Sequence, residues 1–293
     1  MKKFEIIVPS VNSVHYTKSI TAVVMIPDTV TDKTSFALFT HGWGGNRFQH
    51  IDKMEASCES EKRICVSAEY RMSGYDFDPV TGWGAYIPYD ASFMQLFDVL
   101  NCLRYVYQLY PACDRSRTVH YGGSQGGWMA LLSAIYAPNT FAAVYASSPL
   151  TRLTEQEIGW AGRSFDDREL ACRNVLEHAE LINTPLFLEH GTGDTTVPHY
   201  EHTEKLVARL AALGKEHKVV YYPGGGHDLQ PAISKLEAFE KMRSGFFSTP
   251  ALSVTDDFTA GRVVKIPCGD WELVVDWSKP GESLELFHWE KLC

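Results

Sequence analysis

Short, wholly apolar runs alternate along this chain with longer stretches whose apolar positions recur every three or four residues. The runs at 4–8, 20–26, 35–40, 64–69, 117–121, 141–146, 184–190 and 218–222 predict strands, the first two joined by a polar turn around Asn12. Between them, 47–63 predicts a polar surface helix. Residues 90–110 carry Phe93, Leu96, Phe97, Leu100, Leu103 and Tyr107 at helical spacing, and Pro111 stops that helix. Further helices are expected at 128–134, 199–213 and 231–244. Strands alternating with helices define an α/β fold, a mostly parallel twisted sheet flanked by helices. The polar segment 151–182 predicts one or two helices and is the natural place for a small cap. The pattern changes after residue 245. Runs at 262–266, 271–277 and 284–289 predict short strands with turns between them, a small β-rich C-terminal appendage to a domain spanning 1–245.

Composition narrows the reading. With 293 residues, 45% hydrophobic and 22% charged, the chain can bury one large core. A net charge of −9 argues against a nucleic-acid partner. No apolar run approaches the ~20 residues that cross a bilayer, so no membrane partner is expected. Two lysines open the chain, but Glu5 and Pro9 interrupt any signal-like segment, and a cytoplasmic location is expected. Seven scattered cysteines without a C-x-x-C fit reduced thiols. His199 and His202 are three apart on an expected helix but lack an H-E-x-x-H, and no metal site is expected.

The candidate chemistry sits just after strands. Residues 117–121 run into Gly122-Gly123-Ser124-Gln125-Gly126-Gly127 and then into a small apolar helix. G-x-S-x-G between a strand and a helix is a nucleophile elbow: the sharp turn lifts the serine hydroxyl off the sheet and aims the helix's first amides at whatever binds there. Taken alone it is also a glycine-rich turn that happens to hold a serine. Residues 35–40 run into His41-Gly42-Trp43-Gly44-Gly45, which places backbone amides beside a nucleophile as half of an oxyanion hole; His41 reads as a support for that loop. Asp194 follows the strand at 184–190, and His227 lies in Gly224-Gly225-Gly226-His227 after the strand at 218–222. Asp194 alone could be a helix N-terminal carboxylate, and His190, His199 and His202 surface or supporting histidines. The order Ser124, Asp194, His227, each beyond a parallel strand, is that of α/β-hydrolases and brings three distant residues to one sheet edge. A serine needs a base to take its proton, imidazole suits that work near neutral pH, and a carboxylate fixes its tautomer.

Across roughly residues 1–245 the chain resembles the α/β-hydrolases. More narrowly it resembles the prolyl-oligopeptidase and acetyl-esterase branch, through Y-R-M-S-G-Y at 70–75, G-G-S-Q-G-G at 122–127, H-G-T-G-D-T-T-V-P at 190–198 and G-G-G-H at 224–227. The resemblance implies Ser124 as nucleophile, His227 as base, Asp194 as the orienting acid and the Gln125 and Trp43 amides as the oxyanion hole. Relatives of that branch often place a tyrosine side chain at the Trp43 position. No stretch reads as the large domain that gates peptides in the oligopeptidases, and 246–293 is extra.

The expected activity is hydrolysis of a carboxylic ester, a short acyl such as acetyl, through an acyl-serine intermediate and without a cofactor. Trp83, Tyr86 and Trp160 are candidate substrate contacts from the aromatic loop at 70–89 and the cap. A peptidase acting on short peptides shares every catalytic residue; an acid placed to hold a peptide N-terminus would favour it, and Glu69 and Asp76 are the candidates. A hydrolase-fold protein that binds without catalysis is a third reading. The appendage either covers the core or makes a subunit contact, so a homo-oligomer is possible.

Overall fold

The computed structural model describes residues 1–12 and 18–292; the rest of the turn expected around Asn12 lies outside the described residues. Eight strands form one sheet: β1 (Lys2–Ser10), β2 (Lys18–Ile26), β3 (Ser35–Thr40), β4 (Ile64–Glu69), β5 (Asp114–Gly123), β6 (Ala143–Ser147), β7 (Leu186–Gly191) and β8 (His217–Tyr222). Their spatial order is β1-β2-β4-β3-β5-β6-β7-β8. The six from β4 to β8 run parallel, and β2 is antiparallel to both of its neighbours.

The apolar strand runs have a simple cause. Both faces of the sheet are covered, so alternate side chains all need apolar company. On β3, Phe36 and Leu38 point to one face while Ala37 and Phe39 point to the other. The first face is covered by α2 (Met94–Leu109) and α3 (Gln125–Tyr136), the second by α1 (Ile51–Ser60) and α7 (Lys235–Phe247). Between α3 and α7 lie α4 (Glu155–Ala161), α5 (Asp167–Ala171) and α6 (Thr203–Ala212). The segment at 151–182 thus holds two short helices, with a 3₁₀ turn at Ala179–Leu181.

Helix starts differ from expectation for local reasons. The helix expected from 90 begins at Met94, because Asp90 accepts the Gln95 amide at 3.0 Å and the Gln95 side chain accepts the Ser92 amide at 2.9 Å. The last large helix begins at Lys235 rather than 231. Ser234 and Glu237 form a capping box there, each accepting the other's backbone amide at 3.2 Å.

The C-terminal residues form α8 (Asp257–Ala260) and a three-stranded antiparallel sheet, β9 (Val263–Cys268), β10 (Trp271–Asp276) and β11 (Phe287–Lys291). This sheet packs on the outside of α2 and α3. Phe287 stacks on Phe97 at 4.8 Å, and the buried Trp277 donates its indole N–H to the Tyr136 carbonyl at 2.8 Å. Arg168 of α5 lies between the rings of Trp271 and Trp289, at 4.9 and 5.4 Å. Asp257, fully buried, accepts from the Asn139 amide, the Asn139 side chain and the Thr140 hydroxyl. Among the described residues no helix is long and apolar enough to cross a membrane.

Because Trp277 fills the core shared by α2, α3 and the small sheet, Trp277→Ala should cost about 3–5 kcal/mol. In urea the variant should unfold in one transition, coincident by far-UV circular dichroism and tryptophan fluorescence. An early separate transition would mean that residues 246–293 fold as a unit of their own.

Candidate active site

The site is built at the ends of β3, β5, β7 and β8. At the end of β5 the chain turns sharply into α3. Ser124 takes φ 56° and ψ −124°, a left-handed conformation costly for a residue with a side chain. Gly126 explains why the turn is so tight: a Cβ there would lie 2.0 Å from the Thr40 carbonyl oxygen at the end of β3. The start of α3 therefore rests directly on the neighbouring strand's backbone. The same approach brings the 41–45 loop against the serine, since a Cβ on Gly42 would stand 3.3 Å from Ser124 Cβ.

Three helices, α5, α7 and α8, cap their first turn with a side chain; Asp166, for example, accepts the Glu169 amide at 2.9 Å. Ser124 precedes α3 without capping it. Among the described residues the amides of Gln125 and Trp43 have no hydrogen-bond partner. An amide without a partner can receive a developing negative charge; Gln125 follows Ser124 directly, and Trp43 follows Gly42, which packs against the serine.

The three residues singled out from the sequence meet. Ser124 Oγ stands 2.9 Å from His227 Nε2, and His227 Nδ1 stands 2.7 Å from Asp194 Oδ2. A carboxylate only accepts, so Nδ1 carries the proton and Nε2 is free to accept the serine's. The Asp194 and His227 loops are tied by backbone: the Thr192 amide donates to Tyr222 O at 3.0 Å and Gly193 to Gly225 O at 2.8 Å. They pack so closely that a Cβ on Gly191 would lie 2.1 Å from Gly225 O.

His190 supplies a partner that sequence reasoning left among the supporting histidines. Its fully buried Nε2–H is shared between Val197 O at 2.8 Å and Asp194 Oδ2 at 3.1 Å. Its Nδ1 accepts from the Thr203 hydroxyl at 2.6 Å. The Asp194 Oδ1 atom accepts the Thr196 and Val197 amides, both at 2.9 Å. Burial alone would raise this carboxyl, but donation from His190, His227 and the Val197 amide holds it well below the usual carboxylate range. The signal for His190 was its place four residues before Asp194. His202, also buried, accepts the Thr151 amide at 3.1 Å, and burial pulls it down to about 4, with the neighbouring His190 and Arg152 adding to the effect.

The Gln125 side chain is locked in a buried network. Its Oε1 accepts from Tyr89 OH at 3.0 Å, the Tyr70 oxygen lies 3.2 Å away, and its Nε2 donates to Ser92 Oγ and Gln95 Oε1 at 3.0 and 2.8 Å. The Trp43 ring packs on Tyr89 at 4.2 Å and meets Trp160 edge-on at 5.9 Å. Trp160 is thus joined to the site through Trp43. Trp83 and Tyr86 sit on the loop whose Gly84 amide donates to Gly44 O at 2.9 Å, but their rings are 53% and 48% exposed. Tyr86 packs edge-on against Phe77 at 5.5 Å.

The fold is that of the α/β-hydrolases. It matches an acylaminoacyl peptidase from Pyrococcus horikoshii with a TM-score of 0.68 at 16% identity, over 87% of this chain and 42% of that one. The sequence profile of the prolyl oligopeptidase family, Peptidase_S9, matches residues 90–248, and the chain belongs to that family of serine hydrolases. Its relatives include a Bacillus subtilis protein named uncharacterized peptidase YuxL, 29% identical over 45% of this chain and 22% of the relative. Another is the iron(III) salmochelin esterase of Escherichia coli, 37% identical over 39% of this chain and 27% of the relative. The chain therefore matches only about a quarter of these relatives' length.

The depressed Asp194 carboxyl stabilises the fold above the ordinary carboxylate range, and that contribution is lost as pH falls through its folded value. Asp194→Asn should cost about 1–3 kcal/mol at pH 7, since buried donors lose their acceptor. The gap from the parent should narrow below pH ~4 in urea titrations. A gap that is constant from pH 7 to 3 would show that the charge contributes nothing.

Proposed function

We propose that this chain hydrolyses a carboxylic ester through an acyl-Ser124 intermediate, with no cofactor. In this reading Ser124 Oγ attacks the ester carbonyl while His227 Nε2 takes its proton. Asp194 holds the tautomer and offsets the imidazolium charge, and the Gln125 and Trp43 amides receive the oxyanion. His227 then protonates the departing alcohol. Water, deprotonated by the same nitrogen, attacks the acyl carbonyl, releasing the acid and restoring Ser124. The observation that carries the reading is the continuous hydrogen-bonded line from Ser124 through His227 to Asp194.

The half-buried rings of Trp43, backed by the buried Tyr89, and of Trp160 offer an apolar surface near the proposed oxyanion hole, suited to a short acyl or compact alcohol group. Trp83 and Tyr86 are proposed as outer contacts, reached by a larger leaving group. A peptidase reading draws support from the family and from the peptidases among the relatives. Against one form of it, the acids suited to hold a peptide N-terminus are committed elsewhere. Glu69 accepts from the Arg47 side chain at 2.9 Å and the Tyr75 amide at 2.8 Å, and Asp76 from Lys18 and the Met72 amide.

A fluorophosphonate probe should label the parent chain and not Ser124→Ala. Turnover of p-nitrophenyl acetate or butyrate should fall at least about a thousandfold in that variant. Turnover of aminoacyl amides with no turnover of short-chain esters would move the protein to the peptidases. Absence of labelling in the folded parent chain would leave a protein that binds without catalysing.

A further inference from the structure

The proposed oxyanion donor on Trp43 is the N–H end of a peptide group whose other end is the Gly42 carbonyl. That carbonyl is unusually loaded. It accepts from the Tyr70 hydroxyl at 2.8 Å, from His41 Nδ1 at 2.9 Å and from the Gly45 amide at 3.0 Å. A carbonyl oxygen has two lone pairs, and three donors converge on this one. Hydrogen bonds accepted by a peptide oxygen draw electron density toward it and leave the N–H of the same peptide a stronger donor. The Trp43 N–H has no partner of its own among the described residues, so its donating capacity is held in reserve.

We propose that Tyr70 and His41 are positioning residues that polarise the Gly42–Trp43 peptide and thereby strengthen the Trp43 amide as an oxyanion donor. The proposal rests on the assignment of that amide to the oxyanion hole.

The two donors are built for a constant task. The Tyr70 ring stacks on the His41 ring at 3.9 Å and 16°, so each fixes the other's direction. Both are fully buried. Tyr70 has one proton, and Gly42 O is its nearest acceptor, ahead of His41 O at 3.1 Å and Gln125 Oε1 at 3.2 Å. Burial pushes the Tyr70 hydroxyl far above its usual range, so it stays a donor. Burial pulls His41 down to about 3, so the ring is neutral and its Nδ1–H is donated without a charge that would compete with His227. The other arm of the site is arranged alike. The Ser124 carbonyl, which shares a peptide with the Gln125 amide, accepts the Trp128 amide at 3.0 Å. Tyr70 comes to Gly42 because β4, which it follows, lies beside β3 in the sheet.

The test compares the parent chain with Tyr70→Phe and with a chain carrying 2,3-difluorotyrosine at position 70, a more acidic phenol of nearly the same shape. trans-Cinnamoylimidazole acylates a reactive serine, the Ser124 Oγ–C bond forming as imidazole leaves with the proton. The infrared stretch of the bound acyl carbonyl then reports the donors that reach it. The expected result is an ordered series. The band moves to higher wavenumber in Tyr70→Phe and to lower wavenumber with difluorotyrosine, and kcat for p-nitrophenyl acetate falls about tenfold in Tyr70→Phe with KM unchanged. A role confined to holding the fold would move the melting temperature and KM without ordering the band by phenol acidity. Acylation at Ser124 with an unmoved band in the difluorotyrosine chain overturns this inference alone, even should Tyr70→Phe fail to fold. Failure of the parent chain to acylate at Ser124 overturns the reading beneath it as well.

Discussion

Everything at this site depends on how closely the first turn of α3 crosses the end of β3. Only hydrogen fits between Gly126 Cα and the Thr40 carbonyl. That contact accompanies the left-handed turn at Ser124 and brings Gly42 against the serine, and among the described residues the Gln125 and Trp43 amides are left without partners. A strained residue of this kind costs about 1–3 kcal/mol. Every residue of α3 is buried, and burial of Trp128, Leu131, Leu132 and Ile135 contributes about 1.5–3 kcal/mol each. The helix is held far more strongly than the turn resists, so the strain persists and the hydroxyl keeps its direction.

The same logic of over-determination governs Asp194. Two amides saturate one carboxylate oxygen and two imidazoles share the other. A carboxyl surrounded only by donors has no room for its own proton, which is the electrostatic meaning of its lowered pKa. His190 is fixed in turn by Thr203 and Val197, so the direction of Oδ2 is set from behind before His227 meets it. The glycine-dense loops on either side are tied to each other by backbone hydrogen bonds, which matters because His227 comes from a loop and would otherwise wander.

What the sequence made legible was what local chemistry dictates. Strands were readable because a sheet covered on both faces demands unbroken apolar runs. Ser124, Asp194 and His227 were readable because each follows such a run and their order is restrictive. Helix starts were less readable: apolar periodicity continues through residues 90–93 and 231–234, and the Asp90 bond to the Gln95 amide and the Ser234 cap accompany the later starts. Least readable were roles created by topology. Nothing in the surroundings of Tyr70 says that β4 will lie beside β3 and bring its hydroxyl to Gly42. The alternating pattern of β9, β10 and β11 announced strands, but not that Phe287 would stack on Phe97 or that Trp277 would reach Tyr136 O.

The cap and the C-terminal sheet belong to one physical argument. Arg173, almost wholly buried, donates to the Ala91, Asp90 and Glu169 carbonyls, and Arg163 donates to Tyr89 O. These bonds tie the 151–182 segment to the loop holding Tyr89, against which Trp43 packs. Arg168, on the same segment, is held between Trp271 and Trp289 of the small sheet. A path of contacts therefore runs from the C-terminal strands through α5 and the 151–182 segment to Tyr89 and the Trp43 ring that packs on it. An apolar wall discriminates weakly, by about 1–3 kcal/mol per methylene gained or lost. In the proposed reading, selectivity rests on how firmly the Trp43 ring is placed, and the small sheet is one of the elements that place it.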